Sequence, residues 1–159
     1  MAVECNPQMI LGLQITGGAG AGLGARTLIF DEYDRTGSVY NSSSTYPVTA
    51  AASDELAITG GTDTIDLTAV SNPGEGAVDF TGLKIRVLVF QNPGSNVITV
   101  SKGATNGYEL NGTVAIRVPA GGTIMIDYVD ALADVSGTVK TLDVVGTAAD
   151  VLNYIIAAG

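Results

Sequence analysis

Histidine and tryptophan are missing from the chain, and cysteine occurs once, at Cys5. Without histidine, the usual general base, the Ser-His-Asp arrangement and the commonest metal ligand are all unavailable. One cysteine can neither close an internal disulfide nor build a thiolate zinc site. Charge is scarce too: 14% of residues are Asp, Glu, Lys or Arg, against roughly 25% in globular proteins. The balance is negative, 16 acids against 7 bases for a net −9. A nucleic-acid surface needs clustered bases to displace counterions. Here Arg26, Arg35, Lys84, Arg86, Lys102, Arg117 and Lys140 are scattered, so no nucleic-acid partner is expected. Only Lys84 and Arg86 share a strand face, which reads as a solvated or salt-bridged strand edge. No run approaches about 18 consecutive apolar residues, so no membrane span is expected. Residues 1–7 lack the basic start and apolar centre of a signal peptide.

What is present fits one domain: 159 residues, 46% of them hydrophobic, a length that folds without staples. With so little charge, the surface must be largely Gly, Ser, Thr and Asn. Such a surface suits close-packed assemblies, where each buried charge would need a partner. It also suits a neutral β domain with no partner.

Apolar residues come in short runs of period two, punctuated by Gly, Asn, Pro, Ser and Asp, the pattern of strands and turns. The clearest strand is 83–90. Leu83, Ile85, Val87 and Val89 form one apolar face, and Leu88 and Phe90 make the far end apolar on both. The turn at 92–96 carries Pro, Gly and Asn, and 97–101 follows, predicting a hairpin between the two runs. Further strands are predicted at 9–15, 64–67, 113–118, 123–128, 140–144 and 151–156, with shorter ones at 27–30, 38–40 and 55–58. Residues 119–122 form a tight turn, and the best helix candidate is a single turn at 130–134. Eight to ten short strands predict an all-β fold, an antiparallel sandwich or jelly roll. Residues 1–60 are rich in Gly, Ser and Thr. They read as a loosely structured N-terminal arm that could contribute a strand, ahead of a compact domain at 61–159.

Few constellations could carry chemistry. Gly20, Gly22, Gly24 and Ala25 fit a dinucleotide fingerprint, but the following residues are too short and β-like for the helix it needs. A loop is the better reading. Ser101 and Lys102 are adjacent, so a regular strand points them to opposite faces. Asp31, Glu32 and Asp34, and separately Asp127, Asp130 and Asp134, read as solvated loop acids rather than a calcium loop. A glycosidase carboxylate pair is disfavoured by the lack of aromatic platforms. No catalytic residue, metal or cofactor is therefore expected. Tyr33, Tyr40 and Tyr46 stand out as interface candidates, with local packing on the domain's own sheet as the equal alternative.

From about residue 63 onward, the ensemble Asp66-Leu67-Thr68, 78–84, Asn92-Pro93, 98–100, 102–108, 118–122, 140–146 and 155–159 resembles the small β-sandwich virion proteins of tailed phages. The nearest group is the capsid decoration, or cement, proteins. The resemblance rests on turns and strand edges and transfers no catalytic residue. It implies a non-enzymatic virion protein, made in the host cytoplasm. It also implies a homo-oligomer, often a trimer, that contacts the major capsid protein or other virion components. The alternative is a tail- or fibre-associated module binding carbohydrate or a receptor.

Overall fold

The computed structural model describes residues 46–112, 114–128 and 132–159. Eight strands run through them: β1 (Ala50–Ala57), β2 (Thr62–Asp66), β3 (Ile85–Gln91), β4 (Ile98–Lys102), β5 (Ile116–Val118), β6 (Thr123–Asp127), β7 (Thr141–Val145) and β8 (Val151–Ala158). They form two four-stranded antiparallel sheets, ordered β1-β8-β3-β6 and β2-β7-β4-β5. The pairing is nested: β4 with β5, β3 with β6, β2 with β7, β1 with β8. A long antiparallel ribbon has been rolled so that alternate pairs fall in alternate sheets, the double-sheet pattern of a jelly roll. The all-β fold predicted from alternation is the fold found, and no helix occurs among the described residues.

The core fills the space between the sheets. Phe80, Phe90, Tyr108, Leu88, Leu142 and Ile156 are each fully buried there. Every such side chain contributes roughly 1.5–3 kcal/mol relative to leaving it in water.

The hairpin predicted across 83–101 is not formed. β3 and β4 lie in different sheets, because both edges of β3 are taken by β8 and β6. The turn chemistry is real, but it makes a corner. Asn92 is completely buried. Its Nδ2 donates to the carbonyls of Asn96 at 2.7 Å and Val118 at 3.2 Å, and its Oδ1 accepts from the Gly94 amide at 3.0 Å. Its own N–H donates to the Gly122 carbonyl at 2.9 Å. The corner is thereby clipped to the turn at 119–122, which joins β5 to β6 across the same gap. Asp150 ties in the next connection, accepting from Asn96 Nδ2 at 3.1 Å and from the Thr147 amide at 2.8 Å. Gly146 packs closely beside it: a Cβ there would come within 2.7 Å of Ile58 Cδ1, so that the isoleucine tip would have to shift.

The ordered sandwich starts before residue 61. β1 pairs with β8 over its whole length, from Ala50 opposite Ala158 to Ala57 opposite Val151. The last stretch of the expected arm is thus a full sheet member. The runs at 9–15, 27–30 and 38–40 lie outside the described residues.

Candidate functional site: the outer faces of the two sheets

Alternation along each strand sends every second side chain away from the core. On the sheet β2-β7-β4-β5 these are Thr62, Thr64 and Asp66, then Thr141, Asp143 and Val145, then Thr99 and Ser101, then Arg117. Register aligns Thr62, Val145, Thr99 and Arg117 in one row, and Thr64, Asp143 and Ser101 in the next. Thr62, Thr64 and Arg117 are exposed, and Val145 is 41% exposed at the centre of its row. The acids are occupied locally. Asp143 accepts from Thr64 Oγ1 at 3.3 Å and from the Ala104 amide at 2.9 Å. Asp66 accepts from Lys140 Nζ at 2.7 Å, and from both the amide (2.9 Å) and the hydroxyl (2.7 Å) of Thr68. Desolvation pushes the Asp66 carboxyl up, but the bonds from Lys140 and Thr68 outweigh it and hold it below the usual value. The result is a hydroxyl-rich face whose acids are bonded in place, with Arg117 exposed on its edge strand β5.

The outer face of β1-β8-β3-β6 differs. Ala51, Ala157, Val87 and Asp127 make one row, and Ser53, Ile155, Val89 and Met125 the next. A third row, Glu55, Asn153, Gln91 and Thr123, is polar, with Asn153 Nδ2 donating to Gln91 Oε1 at 3.2 Å. In the apolar rows Val87, Val89 and Ala157 form a second buried cluster together with Val48, and Tyr46 packs against it. The Arg86 guanidinium lies 5.4 Å from the centre of the Tyr46 ring, within cation–π range. Its Nε donates to the Gly159 carbonyl at 3.2 Å.

Among the tyrosine candidates, Tyr46 therefore sits half-buried on this apolar face. Tyr33 and Tyr40 lie outside the described residues, as do the glycine motif at 20–25, the acids at 31–34 and Asp130. Lys84 and Arg86, read as neighbours on one strand face, go separate ways. The β3–β8 register shifts between Ile85 and Val87. Lys84 approaches Asp134 at 3.9 Å, while Arg86 is only 8% exposed beneath Tyr46. Ser101 stands opposite Asp143, whereas Lys102 Nζ pairs with Glu109 at 3.2 Å. That ion pair borders a cleft of about 420 Å³ lined also by Leu110, Leu132 and Val139. Its two charges satisfy each other. Among the described residues no group of three or more His, Cys, Asp or Glu comes together to hold a metal ion. No helix among them is long and apolar enough to cross a membrane.

Two features escaped sequence reasoning. One is the burial of Arg86, whose signal was its place inside an apolar run. The other is the split in character between the two outer faces, which appears only once register is known. Together these features define the chain as a β-sandwich protein with two contrasting outer faces. No protein-family model matches it, and neither does any curated protein.

Proposed function

We propose that the chain is a structural protein of a virus particle that decorates and stabilises a tailed-phage capsid through oligomeric surface contacts. The observation that carries this reading is the exposed outer face of β2-β7-β4-β5. Its Thr and Ser hydroxyls and central Val145 can be buried against another subunit while Asp143 and Asp66 keep their internal partners, with Arg117 on the edge strand β5 left to meet solvent or a partner's acid. A rolled eight-strand sandwich with a low-charge surface is a suitable body for that role, and the sequence resemblance supports the same reading. The mechanism is area burial, not group chemistry. A specific contact of this kind removes about 1,200–2,000 Å² from water, and a symmetric oligomer repeats it to gain avidity.

Solution mass by light scattering is the first test. The subunit is 16.1 kDa, and the expected species is a closed oligomer, a trimer foremost. The second is co-sedimentation with tailed-phage capsids stripped of decoration, where Val145→Arg is expected to abolish binding while leaving the fold intact. A strict monomer that fails to sediment with capsids but binds a glycan array would replace this reading with the ligand-binding module.

A further inference from the structure

Asparagine followed by glycine is the pair in which a backbone nitrogen most readily reaches the preceding side-chain amide, because glycine has no side chain to obstruct the approach. The chain holds two such pairs, Asn106-Gly107 and Asn111-Gly112. Both asparagines are exposed, so exposure does not tell them apart. What differs is how firmly each peptide group is held.

For the glycine nitrogen to reach the asparagine Cγ, the peptide group joining the two residues must swing about the asparagine Cα–C bond. At Asn106 that swing is opposed. Its carbonyl, part of the same peptide group, accepts from the amides of Lys140 at 2.6 Å and Thr141 at 3.0 Å, and both bonds would break. The next amide, that of Tyr108, donates to the Thr141 carbonyl at 2.8 Å. Gly107 is wedged in place, since a Cβ there would collide with the Gly103 carbonyl oxygen and with Lys102 Cγ. At Asn111 the carbonyl accepts from the Val114 amide at 3.2 Å, a longer bond within one turn. Gly112 is exposed and has room: the nearest atom of the described residues to a Cβ there is Glu109 Oε1, at 4.0 Å.

We propose that Asn111 is a site of spontaneous deamidation in the folded protein, while the fold protects Asn106. The Gly112 nitrogen attacks Asn111 Cγ and gives up its proton to water. The C–N bond of the side-chain amide breaks, and ammonia leaves with a proton taken from water. Water then opens the five-membered imide at either carbonyl, giving aspartate or isoaspartate. The sum is amide plus water to carboxylate plus ammonium, with no oxidant or reductant. The product carries one negative charge more than the present net −9. That charge arises two residues from Glu109, whose Oε2 pairs with Lys102 Nζ at 3.2 Å. It also falls at the rim of the cleft that Lys102, Glu109 and Gly112 help to line. The rim thus turns acidic as the molecule ages, with two carboxylates sharing one lysine. This inference does not depend on the capsid reading.

Ageing of the full chain in warm neutral buffer, followed by brief trypsin digestion beside an unaged sample, tests it. Cleavage after Lys102 and Arg117 yields the peptide 103–117, which carries both pairs. One fragmentation spectrum therefore reads both rates from the same molecules. Asn111 is expected to convert at least about tenfold faster than Asn106, because reaction at 106 awaits local opening. In urea sufficient to unfold the chain, the two rates are expected to agree within about twofold. Equal rates in the folded protein, faster conversion at Asn106, or an unreacted Asn111 overturns the proposal. A tenfold difference that persists in urea also overturns it, since the neighbouring residues rather than the fold would then set the rates. Labelling by an isoaspartyl methyltransferase is expected at position 111; aspartate there without isoaspartate overturns the imide route. Failure to bind capsids alters none of these readouts.

Discussion

Along β3 the side chains that point away from the core include Val87 and Val89, 1% and 5% exposed; along β7 they include Val145, 41% exposed. Both strands are central in four-stranded sheets, and both obey the same alternation. The difference lies in what surrounds each outward position. Val87 and Val89 are flanked by Ala157, Ile155 and Met125, with Tyr46 and Val48 above. Val145 is flanked by Thr62 and Thr99. A sandwich therefore has three layers of side chains to specify, and only the middle one is dictated by burial between sheets.

The strongest way to break the contrast is to place the same charge on each outer face. Val89→Asp strands a carboxylate in a buried apolar row and is expected to cost on the order of 3 kcal/mol or more. Thr99→Asp on the open face should stay within about 0.5 kcal/mol. Urea melts of both variants check this; equal losses would mean that the two faces are equally covered.

Next comes the corner that sends β3 and β4 to different sheets. Asn92→Ala removes two donated bonds and one accepted bond and leaves the Val118 and Asn96 carbonyls unsatisfied. An expected cost of about 2–3 kcal/mol, read by thermal or urea unfolding, exceeds that of Asn96→Ala in the same loop.

A pH series sharpens the comparison further. Burial pushes Tyr128 and Tyr154, both on or beside the β1-β8-β3-β6 sheet, up to about 12. The folded state thus holds their protons more tightly than the unfolded state does. Their contribution is full below about pH 10 and is lost as pH rises from there through about 12. Unfolding midpoints should fall between about pH 10 and 12, and Tyr154→Phe should flatten the fall.

The smallest effect is expected at Asp66 on the other sheet. Its depressed carboxyl gives stability that is present above the ordinary carboxylate value and fades as pH drops through the folded one. The Asp66 and Lys140 side chains are 37% and 24% exposed, so solvent screening keeps Lys140→Ala below about 1 kcal/mol at neutral pH. The variant should also lose stability less steeply in acid than the parent.

Much of the fold was legible from period two and turn chemistry. The apolar run ending at Phe90 announced a strand buried on one face and, at its far end, on both; β3 is that strand, with the double burial reaching back to Arg86. The turn at 92–96 announced a reversal, but Asn, Pro and Gly fix local dihedrals without choosing between a hairpin and a corner. That choice was made by β8 and β6 occupying both edges of β3. β1 was legible only at its end, since Ala50, Ala51 and Ala52 favour helix intrinsically and become strand by pairing with β8. Of the interface tyrosines, Tyr46 packs on the outer face of its own sheet, the local alternative that its sequence position left open. The contrast between outer faces was not legible, because it depends on which strands become neighbours, and sequence-distant pairing decides that.

The nested pairing also has a kinetic side. β4 and β5 meet across residues 103–115, the shortest of the four nested connections, whereas the β1–β8 ladder sets Ala50 against Ala158. Closing a long loop costs entropy before any contact repays it, so the ladders should zip from the middle of the chain outward, each shortening the search for the next. A protein wound in this order folds slowly for its size. It spends that time with the β1 and β8 edges unpaired, so conditions that delay the last ladder should favour strand exchange between molecules over closure within one.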